Sequence, residues 1–128
     1  MLRLLALLSV LFAVVHGGFY IGQTVNCNFT YSNSAGYGAC GSQINAATQN
    51  LIAVGPSYWS TPNPNNDPVC KHVCIRVNYG GKSRTVPVKD KCSGCNANQF
   101  SLSQPAFQFF APLSTGHIYG ATCTFVRC

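Results

Sequence analysis

The chain is short of acid. Its 128 residues contain no glutamate and two aspartates, Asp67 and Asp90, against eight lysines and arginines. That scarcity argues against carboxylate-pair chemistry. Inverting glycoside hydrolysis needs one carboxyl to protonate the leaving oxygen and a second to activate water. Asp67 falls within Thr61-Pro62-Asn63-Pro64-Asn65-Asn66-Asp67-Pro68, where prolines and asparagines predict a mobile surface loop and a poor second carboxylate. Asp90 is left as the one credible catalytic acid. Beyond the N-terminus no apolar stretch approaches membrane length, so no membrane span is expected. Internal repeats and a linker able to split the chain are also missing. The bases Lys71, Arg76, Lys82, Arg84, Lys89, Lys91 and Arg127 form no run, which argues against a nucleic-acid partner.

The N-terminus is different. Met1-Leu2-Arg3 gives a short basic start and Leu4 to Val15 an apolar core, too short to span a bilayer and suited to a signal peptide. Cleavage near Gly17 makes residues 1–17 the leader and 18–128 one secreted, extracellular domain. Loss of Arg3 leaves seven bases against two acids, a formal +5. Weak adsorption to an acidic matrix such as pectin is one use of that charge.

The mature region carries Cys27, Cys40, Cys70, Cys74, Cys92, Cys95, Cys123 and Cys128. In an oxidising compartment these predict four disulfides, although eight cysteines allow about 105 pairings and the spacing does not choose among them. Cys70-x-x-x-Cys74 and Cys92-x-x-Cys95 each match half of a zinc site, but secretion favours disulfides, and no metal or cofactor is expected. Oxidised cysteines also exclude a thiol nucleophile.

Short strands punctuated by turn residues dominate. Phe19 to Val25 and Cys27 to Tyr31 read as strands, Ser42 to Asn50 as a short helix capped by Ser42, and Leu51 to Val54 as an apolar strand. Val73 to Asn78 and Ser83 to Asp90 form a hairpin around Tyr79-Gly80-Gly81-Lys82, with Pro87 marking an edge or bulge. Ser103-Gln104-Pro105 opens a second short helix whose apolar side is Ala106, Phe107, Phe110 and Ala111. Tyr119 to Val126 is the last strand. Many short strands with no long helical periodicity suggest a small β-barrel. Asn28-Phe29-Thr30 is an N-glycosylation sequon, idle where Asn28 faces inward.

Several segments, in order, resemble one family. Thr30-Tyr31 with Gly38-Ala39-Cys40-Gly41, Pro64-Asn65-Asn66 before Cys70, Asp90-Lys91-Cys92-Ser93-Gly94-Cys95, and Leu102-Ser103-Gln104-Pro105-Ala106-Phe107 are similar to the motifs of single-domain expansin-like and loosenin-like proteins. The resemblance implies an all-β fold: a six-stranded double-psi β-barrel with one or two short helices, stapled by disulfides. Barwin, rare-lipoprotein-A-like proteins, kiwellins and a fungal endoglucanase family share that barrel. Cys27, Cys74, Cys123 and Cys128 exceed the usual cysteine set and are expected to staple the termini.

One position departs from the pattern. Where the family carries its acid, this chain has Ser101, a hydroxyl too weakly acidic to protonate a leaving glycosidic oxygen. The expectation is therefore a non-enzyme that binds cell-wall polysaccharide (cellulose, chitin, pectin or peptidoglycan) and loosens it without cutting bonds. Sugar recognition uses aromatic faces and a few polar groups, for which Tyr31, Tyr37, Gly38, Tyr58, Trp59 and Asp90 are the candidates. The alternative is a barwin-like or kiwellin-like defence, effector or inhibitor protein that uses the barrel as a rigid scaffold against a secreted protein partner. A third reading is a weak lytic glycan-cleaving enzyme acting through Asp90. His72 and His117 have no evident carboxylate partner. A monomer is expected.

Overall fold

A computed structural model describes residues 18–128; the expected leader, 1–17, lies outside the described residues. The elements run β1 (Thr24–Ser32), β2 (Ala35–Tyr37), β3 (Gln43–Asn45), β4 (Ile52–Val54), β5 (Val73–Tyr79), β6 (Lys82–Lys91), β7 (Gln99–Ser103), α1 (Gln104–Phe110) and β8 (Ile118–Arg127). Six strands close into a barrel in the order β1-β7-β4-β6-β5-β8, and β2 and β3 pair separately. β1 runs parallel to β7 and β4 parallel to β6, while the other barrel contacts are antiparallel. This is the small β-barrel that the strand pattern predicts, with the six strands that the resemblance implies.

Local sequence explains most of the ring. In β5 the side chains of Val73, Ile75 and Val77 are buried while Arg76 between them is exposed. Tyr79 pairs with Lys82 across a two-residue turn in which Gly80 and Gly81 both have positive φ, 58° and 79°. A turn of that hand follows the twist of the flanking strands and suits glycine at both positions. β4 is paired on both edges, with β6 and β7, and its run Ile52-Ala53-Val54 is wholly buried. Such a strand tolerates a continuous apolar sequence. The irregularity expected at Pro87 lies one step on, where the β4–β6 register slips between Val88 and Asp90.

The barrel is filled by Phe29, Phe100 and Phe125, all inaccessible to solvent, together with Ile52, Ile75, Leu102 and Ile118. Helix α1 presses Ala106, Phe107 and Phe110 against this core, and Phe107 meets Phe29 edge-on at 5.8 Å. Each fully buried phenylalanine contributes roughly 1.5–3 kcal/mol over its exposed state. Ser103 occupies the N-cap of α1 as expected but makes no side-chain cap bond. Its hydroxyl accepts a hydrogen bond from Leu51 N at 3.0 Å instead, tying β7 to the start of β4.

All eight cysteines pair. Cys27–Cys123 joins β1 to β8, and Cys74–Cys128 joins β5 to the segment after β8. Cys40–Cys70 holds the turn between β2 and β3 against the Pro68–Cys70 turn, and Cys92–Cys95 closes a local loop.

Three local expectations are corrected. Ser42 to Asn50 is not a helix: Gln43–Asn45 is strand β3, followed by a turn in which Asn45 Oδ1 accepts from Ala47 N. Only Thr24 and Val25 of the expected first strand are extended in the barrel, because residues 20–23 form a tight turn. The Pro/Asn segment is not a mobile loop around Asp67. It holds two short 3₁₀ turns, Pro64–Asn66 and Pro68–Cys70, with Asp67 fully buried between them.

Candidate functional site

Asp90 and Ser101 are eleven positions apart in sequence and meet across β4. Ala53 pairs with Asp90 on one side and Ser101 on the other, which places the two residues roughly 10 Å apart, two strand spacings. Both line a cleft of about 180 Å³ with Ser32, Ser34 and Ser103. The structure thus brings Asp90 and Ser101 together. The cleft is rich in hydroxyls and holds one carboxylate. Asp90 Oδ1 is engaged, accepting from Ala39 N at 2.9 Å. That contact pins the Gly38-Ala39-Cys40-Gly41 turn to the end of β6, and Cys40 N donates to Lys89 O alongside it. Gly38 is required by this packing, since a Cβ there would lie 2.4 Å from Lys89 O. The arrangement suits a polar, hydroxyl-bearing ligand and supplies no second carboxylate.

The aromatic candidates are not gathered into one groove. Tyr37 on β2 is 77% exposed. Tyr31 is half-buried, its ring 5.0 Å from Phe107. Tyr58 and Trp59, expected as binding aromatics, are core residues at 4% and 7% exposure. Each spends its polar atom internally: Tyr58 OH donates to Ala97 O, and Trp59 Nε1 to Val54 O. Their position before a loop suggests exposure, but the Pro56–Tyr58 turn folds both into the core, with Tyr58 packed on Phe100 and Phe125. Burial pushes the Tyr58 hydroxyl pKa up from its ordinary value.

Asn28, the sequon residue, is half-buried and tied on both sides. Its Oδ1 lies 2.7 Å from His117 Nε2, and its Nδ2 donates to Asn98 O at 3.3 Å. The His117 ring stacks on Tyr119, centroids 4.1 Å apart. His117 therefore has an amide partner and not a carboxylate. His72 is exposed and sits at φ 58°, the one non-glycine with positive φ among the described residues.

Asp67 is the residue whose role the sequence reading missed. Its Oδ2 accepts from Ser60 N at 2.7 Å, Thr61 N at 2.8 Å and Thr61 Oγ1 at 3.0 Å, and its Oδ1 from Val69 N at 3.1 Å. Burial alone would raise its pKa, but the bonds from Val69, Ser60 and Thr61 outweigh that and hold it below the usual carboxylate value. A signal was available: aspartate directly before proline is the pattern of a helix N-cap, which Asp67 is for the Pro68–Cys70 turn.

No protein-family model matches the chain. A papain inhibitor of Streptomyces mobaraensis is 48% identical over 107 residues, covering 84% of this chain and 75% of that protein. The solved Streptomyces papain inhibitor superposes with a TM-score of 0.82, covering 97% of its chain. An Asp f 7 allergen homolog of Arthroderma benhamiae is 38% identical over 72 residues, which is 24% of its length. The expansin of Clavibacter michiganensis aligns over 51% of its chain with a TM-score of 0.63 and 23% identity. A mutant of that expansin in complex with cellohexaose gives 0.62 and 22%. At such identity these two bear on the fold alone. Together the solved relatives identify the closed barrel as a double-psi β-barrel.

Proposed function

The chain belongs to the family of the Streptomyces papain inhibitor, and from that premise we propose that it is a secreted protein inhibitor of papain-like cysteine proteases. The observation that carries this reading is the 48% identity shared with an inhibitor whose solved chain is covered over 97% of its length. Supporting it, four disulfides and an aromatic core make a stiff scaffold. A stiff scaffold loses little conformational entropy on docking. The cleft offers one carboxylate, Asp90, already bonded to a backbone amide, with Ser101 where the expansin-like pattern carries its acid. Both features suit a binder better than a glycan-cleaving enzyme. In this reading residues 1–17 are the leader and 18–128 the exported inhibitor, acting as a monomer.

The test uses protein expressed from the full chain in a secreting host. Papain hydrolysis of a small fluorogenic peptide is titrated with the purified protein. Inhibition should follow the protein peak on gel filtration. Full papain activity at large molar excess of that peak would refute the reading.

A second reading is attachment to wall polysaccharide through the Asp90 cleft. Its specific support is the convergence of Asp90, Ser101, Ser32 and Ser34 in one cavity. Ser101→Asp would restore the acid there and is expected to raise polymer-disrupting activity on cellulose or chitin. Unchanged activity would count against the cleft.

A further inference from the structure

Formal charge is distributed unevenly along the chain. From Gly18 to Asn66 there is no lysine, arginine, histidine, aspartate or glutamate. The cations of the described residues begin at Lys71. Two neighbouring segments of the uncharged half form a rim at one end of the barrel, and the first is the turn over residues 20–23. Gln23 N donates to Tyr20 O at 3.1 Å, and Tyr20 N donates to Gln23 Oε1 at 3.2 Å. Gly22 takes φ 93°. The turn is fixed to β8 by Gly22 N to Phe125 O at 2.7 Å and Phe125 N to Gln23 O at 2.9 Å. Phe19 beneath it stacks on Phe125, centroids 5.2 Å apart.

The second segment is the loop around Pro56–Asn63. Gly18 N donates to Ser57 O at 2.9 Å, joining the two segments, and buried Asp67 braces Ser60 and Thr61 from behind. On this rigid support the turn exposes Tyr20 at 67% and Ile21 at 40%. These are adjacent, and they are two of the four exposed large hydrophobics among the described residues.

We propose that this rim, whose own residues carry no formal charge and which has Lys91 Nζ nearby, 5.5 Å over the buried Trp59 ring, is the surface that enters the active-site cleft of the protease, with Tyr20 and Ile21 as anchors. The assignment rests on the inhibitor reading above. A protease cleft is concave and needs a convex element. The Asp90 cleft is itself a recess of about 180 Å³ and cannot insert. Interface cores are depleted of charge and enriched in aromatics, and tyrosine is prominent among residues that dominate binding. A turn braced by backbone and side-chain bonds presents its anchors already ordered, which lowers the entropic cost of association. The partner pocket should accordingly be apolar and wide enough for a phenol ring. The Arg76-bearing outer face of the barrel, which adjoins the rim through the cross-strand row Arg76-Thr124-Thr24, would instead give an interaction weakened by salt.

The experiment measures papain inhibition constants for the wild type, Tyr20→Ala, Ile21→Ser and the double variant, with Tyr119→Ala as a control at a distant exposed tyrosine and Arg76→Ser for the basic face. Both anchors are exposed, so thermal unfolding should be unchanged and a lost inhibition will not reflect misfolding. The double variant should weaken inhibition by at least about 30-fold. Tyr119→Ala and Arg76→Ser should inhibit like the wild type, and high salt should leave the wild-type constant unaltered. A double variant as potent as the wild type overturns the assignment while leaving the inhibitor reading standing. So does a loss carried by Arg76→Ser or by salt, or one carried by Tyr119→Ala. Failure of the wild type to inhibit overturns both.

Discussion

Asp67 offers a sharp physical test of how the uncharged rim is built. The carboxylate is fully buried, and what stabilises it is four hydrogen bonds from Ser60, Thr61 and Val69. Asp67→Asn keeps the shape and removes half of the acceptor capacity. Oδ2 receives three of the four donors, so an amide nitrogen there faces donors only; flipped, it faces Val69 N. Either orientation leaves at least one buried donor opposed. Hydrogen bonds to a charged group contribute about 1.5–3 kcal/mol each and a stranded buried donor costs about 1–3 kcal/mol. A net loss of about 2–4 kcal/mol follows, lowering the unfolding midpoint by about 10 °C or more for a domain of this size.

The pH dependence has a definite sign. Asp67 has a lowered pKa in the folded state, so its stabilisation is fully present above the unfolded aspartate value, about 3.9. That stabilisation is lost as pH falls through the lower folded value. Wild-type stability should therefore decline below about pH 4, with Asp67→Asn less stable at neutral pH and flatter across that acid range. Calorimetry of both proteins from neutral to strongly acidic pH reads the two effects together. Equal midpoints at neutral pH, or parallel acid profiles, would refute the bracing role.

Gly38→Ala should disrupt the Cys40 turn, because the new methyl would meet Lys89 O at 2.4 Å; amide exchange at Ala39 and Cys40 should accelerate, and unchanged protection would refute the close approach. Removing Cys92–Cys95, which spans 3 positions, should cost about 2 kcal/mol, and removing Cys27–Cys123, which spans 96, up to about 4–5 kcal/mol on loop-closure entropy. Denaturant titration of the two paired-serine variants checks the order, and the reverse order would contradict it. Ser101→Asp should leave papain inhibition unchanged, since the cleft is not on the docking rim; loss of inhibition would place the cleft at the interface.

The parts of the fold that were legible carried their reason locally. The β5–β6 hairpin announces itself through alternating valines and the Gly80-Gly81 turn, and α1 through Ser103, Pro105 and the spacing of Ala106, Phe107 and Phe110. The barrel was legible through ordered motifs, and the same resemblance led first to wall loosening. Family membership favours the alternative stated beside it, an inhibitor on the same scaffold. What misled was tertiary context. Ser42 to Asn50 has only Ile44 and Thr48 as β-branched residues, yet pairs through Gln43–Asn45 with β2. Tyr58 and Trp59 precede a loop but fill the core through a proline-initiated turn. Asp67 sits among asparagines and prolines, and the donors that bury it come from residues six and seven positions earlier as well as two positions on. At the cleft, Asp90 and Ser101 were legible as positions, but their meeting across Ala53 depends on β4 lying between β6 and β7. Nothing in the local pattern reveals that strand order.

The most direct measurement offers one preparation of the purified protein to immobilised papain and to insoluble cellulose, chitin, pectin and peptidoglycan, at low and high salt. The account predicts retention on papain at both salt concentrations and, at high salt, recovery from every polysaccharide in the supernatant. Sedimentation with a polysaccharide through high salt, with no retention on papain, would contradict it.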